Sequence, residues 1–140
     1  MYEFTRQVIE KCPWLMDELA FQMIEEDYSA ESFGNAFVTL ESSVLQVRFV
    51  LDRDQTFIYL APPTSREKWP EIYFVLEAIH GKEPEAIVEF DEVAIRLRNH
   101  FPELVEALGP RLGETEREME RLAGLRLAEM RKGFFRSPSR

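Results

Sequence analysis

Residues 44–51, VLQVRFVL, alternate: Leu45, Val47, Phe49 and Leu51 point one way, Gln46 and Arg48 the other, together with Val44 and Val50. Successive side chains of a strand face opposite sides of its sheet, so this run needs one face on a core and one at least partly wet. Two flanking runs, residues 36–41 (AFVTLE) and 56–61 (TFIYLA), share its enrichment in β-branched and aromatic residues. The connections, Ser42-Ser43 and Asp52-Arg53-Asp54-Gln55, are polar and of hairpin length. Together they predict a three-stranded antiparallel meander.

The flanks have a different period. Phe4, Val8, Cys12, Leu15, Leu19 and Met23 recur at intervals of three and four, the spacing of one helical face. Pro13 cannot donate to the preceding turn and biases Cys12 away from helical angles, which predicts a kink or a second helix opened by Pro13. Glu25-Glu26-Asp27 then reads as a solvated helix end, with Gly34 as the breaker. Beyond the meander, Pro62-Pro63 stops the third strand. Thr64 and Glu67 have capping-box spacing ahead of a helix with a Trp69, Ile72, Leu76 and Ile79 stripe, closed by Gly81. A further pattern runs through Phe90, Val93, Leu97 and Phe101, with Pro102 opening a separate short helix that ends at Leu108-Gly109-Pro110. The last helix starts at Thr115, boxed with Glu118. Its stripe is Met119, Ala123, Leu127 and Met130, and Gly133 ends it. The order predicts a single α+β domain over residues 1–133. It comprises an N-terminal helix kinked at Pro13, the meander, three to four C-terminal helices packed on the sheet, and a tail over residues 134–140.

At 140 residues, with 45% hydrophobic and 31% charged composition, the chain can bury a core without a disulfide or metal staple. Its one cysteine, Cys12, excludes an internal disulfide. No signal-peptide pattern opens the chain, and its apolar runs fall far short of the ~20 residues that span a bilayer. These features fit a cytoplasmic protein of bacterial type. The net charge of −9 is uneven, with −12 over residues 1–110 and +3 over residues 111–140. So acidic a body repels phosphate backbones, which disfavours nucleic acid, and attracts basic partners.

No familiar catalytic signature is present: there is no G-x-S-x-G, Gly-rich phosphate loop, C-x-x-C or H-E-x-x-H. His80 and His100 each lie near a predicted helix end, where the macrodipole favours a cation. Neither has a second His or Cys at ligand spacing in its own segment. Cys12 lies on an apolar stripe, where a thiol behaves as a small hydrophobe. Asp52 and Asp54 flank Arg53 in a turn. They would need further oxygen ligands or a bound phosphate to hold a hard cation, and Asp is also a favoured turn residue. The expectation is therefore no catalytic residue, no metal and no cofactor. A metal-dependent enzyme using these acids is the remaining catalytic alternative. The candidate binding surface is the polar side of the meander, Gln46 and Arg48 with Arg53 and Asp54 in the turn. Phe134 and Phe135 join it from the basic, aromatic tail.

Residues 33–60, FGNAFVTLESSVLQVRFVLDRDQTFIYL, resemble a pattern found in small uncharacterised bacterial proteins. In these a helix leads to a GNA-x-V-x-LES strand and then to a strand ending in an R-F-V-x-D-R turn. Here Asp54 stands where a glycine is expected. Some of these proteins look like immunity proteins that neutralise toxins. The resemblance implies a protein-binding role and carries no catalytic residues. The leading expectation is a non-catalytic interaction module, an immunity-type inhibitor of a basic partner. The alternative is a homo-oligomeric structural or regulatory subunit that self-associates through its last helix.

Overall fold

The structure, a computed structural model, describes residues 1–136. Helices α1 (Glu3–Lys11) and α2 (Pro13–Asp17) precede strands β1 (Gln22–Ser29), β2 (Asn35–Glu41), β3 (Gln46–Asp52) and β4 (Gln55–Ala61). Helices α3 (Ile72–His80), α4 (Phe90–Leu108) and α5 (Leu112–Arg136) follow. The strands form one antiparallel sheet in chain order, so every strand pairs with its sequence neighbour. This is the α+β order the patterning implies, with a fourth strand added.

Register aligns the apolar positions of the three central runs. Val38 faces Phe49 and Phe49 faces Ile58; Leu40 faces Val47 and Val47 faces Leu60. All six are fully buried, and each such side chain contributes about 1.5–3 kcal/mol. On that face they meet Phe4 and Val8 of α1, Leu15 of α2, and Val93, Leu97 and Leu104 of α4. Aromatic contacts tie the layers: Phe90 stands 5.8 Å from Phe4 and 6.1 Å from Phe49, and Trp14 meets Phe101 edge-on at 5.6 Å. Pro13 opens α2, so the N-terminal helix does break where the proline requires.

The fourth strand, β1, corrects the reading of residues 22–29 as the end of a helix. Helix α2 ends at Asp17, and Leu19 still packs against the core from the turn beyond it. Ala20 turns left-handed (φ 57°), and the Phe21 N–H donates back to the Leu15 carbonyl at 3.0 Å. Gln22 to Ser29 then pair with β2, with a bulge between Met23 and Glu25. Met23, which fits the helical spacing, is 40% exposed on this strand. Glu25, Glu26 and Asp27 are poor strand formers, and pairing with β2 overrides that preference. Charges on an edge strand also keep it from pairing with another sheet. Glu26 points to the helix side, where it accepts from the Tyr2 N–H (3.1 Å) and the Thr5 hydroxyl (2.5 Å). That carboxylate thus serves one otherwise unpaired amide at the start of α1, the helix end that favours negative charge.

Three helix expectations also change. Residues 62–71 are a loop rather than a capping box, and Trp69 lies outside α3. The loop runs back along β4, where the Leu60 N–H donates to the Pro70 carbonyl at 2.9 Å. Gly81 does end α3, in the left-handed conformation. Pro102 lies inside α4 rather than opening a new helix. Burial of Phe101, Leu104, Ala107 and Leu108 continues through it and outweighs the missing amide. α5 begins at Leu112, so Thr115 is an interior residue bonded back to the Arg111 carbonyl, and Gly133 does not end the helix. Along its expected stripe Met119 packs against the core, whereas Leu127 and Met130 are exposed. The side chains of Phe134 and Phe135, and residues 137–140 of the expected tail, lie outside the described part of the chain. Among the described residues no helix is long and apolar enough to cross a membrane.

Because the Pro102 ring is exposed and its missing amide costs α4 a hydrogen bond, Pro102→Ala is predicted to raise the unfolding free energy by about 1–3 kcal/mol. Urea denaturation measures this; an unchanged or lower value would mean that the proline itself supports the packing of α4.

Candidate functional site

The sheet face away from α1, α2 and α4 carries three transverse rows. One is Asp27, Phe37, Val50 and Phe57; the next is Glu25, Thr39, Arg48 and Tyr59; the last is Glu41, Gln46 and Ala61. The 62–71 loop closes the last row. The Gln46 amide donates to the Pro62 carbonyl (2.7 Å) and the Ser65 carbonyl (3.0 Å), and its oxygen accepts from Arg66 Nε (3.0 Å). Gln46 is therefore buried and is a fastener of the loop, not an exposed contact.

Arg48 is half-buried in the middle row. Its Nε donates to the Thr39 hydroxyl at 2.9 Å and its Nη2 to Glu25 at 3.2 Å. Its guanidinium lies 4.2 Å from the Trp69 ring centroid and 5.1 Å from that of Phe37. A planar cation in contact with two rings is a stable arrangement, and it leaves Arg48 only partly available to a partner. Beyond it Phe37, Val50 and Phe57 stay half-exposed.

At the far end of this face the two hairpin connections come together. Arg53 and Asp54 form the two-residue turn between β3 and β4, with φ of 52° and 69°. Both central residues of such a turn need left-handed backbone, hence the usual preference for Asn-Gly. Asn35 locks it, accepting from the Arg53 N–H (3.0 Å) and donating to Asp52 (3.2 Å). Phe33, in the β1–β2 connection, is also left-handed (φ 61°) and 77% exposed, with the Arg53 guanidinium 5.2 Å from its ring. The fold thus unites Arg53 and Asp54 with Phe33 and the Phe37 row, and separates them from Gln46. Sequence reading missed Phe33. Its signal was a bulky aromatic between Ser32 and Gly34, in a stretch otherwise fit for a turn.

Elsewhere, Cys12 is buried, and that burial pushes its thiol up to about 11, so it remains a protonated hydrophobe. Glu71, beside β4, has its carboxyl pushed up by burial, partly opposed by the charge of Arg96. Burial, then Glu71, then Asp52 raise the Tyr59 phenol. His80 closes α3 as expected. His100 instead sits within α4 rather than near its end, and both rings meet Glu103. Hydrogen bonding from His100, and less from His80, holds the Glu103 carboxyl below its ordinary range against some burial. Among the described residues this trio is where side chains able to bind a metal converge; Asp52 and Asp54 belong to no such group.

No family model, no curated protein and no solved structure matches this chain.

Glu71 yields a pH test. Its folded-state pKa lies above the unfolded value, so its ionisation lowers stability as pH rises from 4.5 through the folded pKa. Glu71→Gln is predicted to be more stable than the parent at pH 7, the difference closing below pH 4.5. Parallel melts across that range check it; equal stabilities at pH 7 would contradict it.

Proposed function

We propose that this chain is a non-catalytic protein-binding module, an immunity-type inhibitor that receives a basic partner on the turn end of its open sheet face. The observation that carries the reading is Phe33. An exposed aromatic held in left-handed backbone costs folding about 1–2 kcal/mol relative to glycine, and nothing in the core repays it. Ala20, Arg53 and Asp54 share the left-handed backbone, and what sets Phe33 apart is a large aromatic side chain held 77% exposed there.

The surroundings suit such an anchor. Asp27, Glu31, Asp52 and Asp54 stand exposed around it against Arg53 alone, and the body carries −12 over residues 1–110. A basic surface is steered toward that field, which raises the rate of encounter. Phe33 then fills a pocket on the partner, and the Phe37, Val50 and Phe57 row supplies apolar area behind it. The resemblance of residues 33–60 to immunity-like proteins fits this location, because its GNA motif builds the connection that presents Phe33: Gly34 is left-handed (φ 73°) and Asn35 clamps the neighbouring turn.

Phe33→Gly separates binding from folding. The variant is predicted to be at least as stable as the parent, because glycine accepts φ 61° without strain. Its affinity for a basic protein captured from source-cell lysate at low salt should fall by about 30-fold, the scale of a hot-spot residue. Quantitative capture with salt elution, alongside a thermal melt, measures both. Undiminished capture by the variant, or a partner that is not basic, would defeat the reading.

A further inference from the structure

The chain has two histidines, and the fold brings them together from different helices. His80 is the last residue of α3, where Gly81 turns the chain away and donates its N–H to the Glu77 carbonyl at 2.8 Å. His100 and Glu103 lie one turn apart on α4, on a shared face. Leu76, Leu97 and Leu104, all buried in the same cluster, fix the two helices beneath them. The imidazole centroids are 5.5 Å apart, and each ring turns one nitrogen toward the same carboxylate. His80 Nε2 lies 3.1 Å from Glu103 Oε2, and His100 Nδ1 bonds to Oε1. One donor atom from each residue falls within 4.8 Å of the others.

We propose that His80, His100 and Glu103 form a binding site for one divalent transition-metal ion, with zinc as the best fit. Bonds of about 2.0–2.2 Å in tetrahedral geometry set ligand atoms about 3.3–3.5 Å apart, a spacing this trio reaches by small side-chain rotations. Two imidazoles with one carboxylate match a borderline-soft ion; calcium and magnesium prefer all-oxygen shells. On metal binding each imidazole carries its proton on the nitrogen remote from the ion, and Glu103 exchanges two N–H donors for one cation. Glu103 also walls a cleft of about 450 Å³ shared with Glu106, Arg111, Glu114 and Glu118, whose net negative charge favours a cation. Three protein ligands leave a fourth position for water or a small anionic ligand, as in zinc sites that exchange ligands. Buried Cys12 offers no rival thiolate.

The test uses tag-free full-length protein, titrated with Zn²⁺ by calorimetry and with Co²⁺ by visible absorption. The expected result is one ion per chain, a Co²⁺ spectrum of four-coordinate intensity that Zn²⁺ displaces, and a Zn²⁺-dependent rise in melting temperature. A direct ligand is worth no less than the about 10–100-fold contributed by a group one shell further out, so His80→Gln, His100→Gln and Glu103→Gln should each weaken binding by at least that range. Circular dichroism checks that each variant is folded. Absence of saturable binding by the parent overturns the proposal. So does undiminished binding in the doubly substituted His80→Gln, His100→Gln protein, which would place the ion on surface carboxylates elsewhere.

Discussion

Strand β3 is paired on both sides and buries Val47 and Phe49 completely, so everything else in the molecule is arranged around its two faces. One face takes the helices. The other cannot be left bare, because a sheet exposing three aromatic residues beside unpaired edges invites aggregation. The chain meets that constraint unevenly. At one end the 62–71 loop folds over and is fastened by the Gln46 side chain, while Trp69 lies over Arg48. At the other end no segment among the described residues folds over, and strained turns hold polar and aromatic groups outward.

The edges follow the same logic. Along β4 the Pro70 and Val88 carbonyls accept from Leu60 and Thr56, so two connecting segments occupy hydrogen bonds that another strand would take. On the opposite edge β1 relies on Glu25, Glu26 and Asp27. The acidity that reads at first as a solubility device is thus placed, in part, where it blocks edge pairing and borders the open face. In the proposed binding mode, complementary charge on a partner would convert the same residues from a deterrent into a guide.

Much of this was legible in the sequence, and the misses share a cause. Alternation marked β3, and flanking composition marked β2 and β4, because period-two burial is a local signal. Pro13 and Gly81 marked helix ends through backbone rules that hold in any context. β1 was hidden because its three consecutive acids and Met23 obey no strand pattern; only hydrogen bonds to β2 make it a strand. Pro102 and Gly133 misled in the opposite direction, since α4 and α5 are sustained past their breakers, α4 by buried contacts. Among the candidate residues, alternation placed Arg48 on the polar side and turn composition placed Arg53 and Asp54 in the connection, while the burial of Gln46 was not legible because the returning loop is a tertiary event. His80 and His100 lie 20 positions apart, beyond the reach of any spacing rule, and were joined only by the packing of α3 on α4.

The proposed binding mode puts the partner on the turn end of the open sheet face. Hydrogen–deuterium exchange of the protein alone and in complex with the captured basic partner tests it most directly. Docking at that end slows exchange most in residues 30–37 and 50–57 and leaves α4 and α5 unchanged. Protection confined to the helices, with the two turns exchanging as in the free protein, would contradict it.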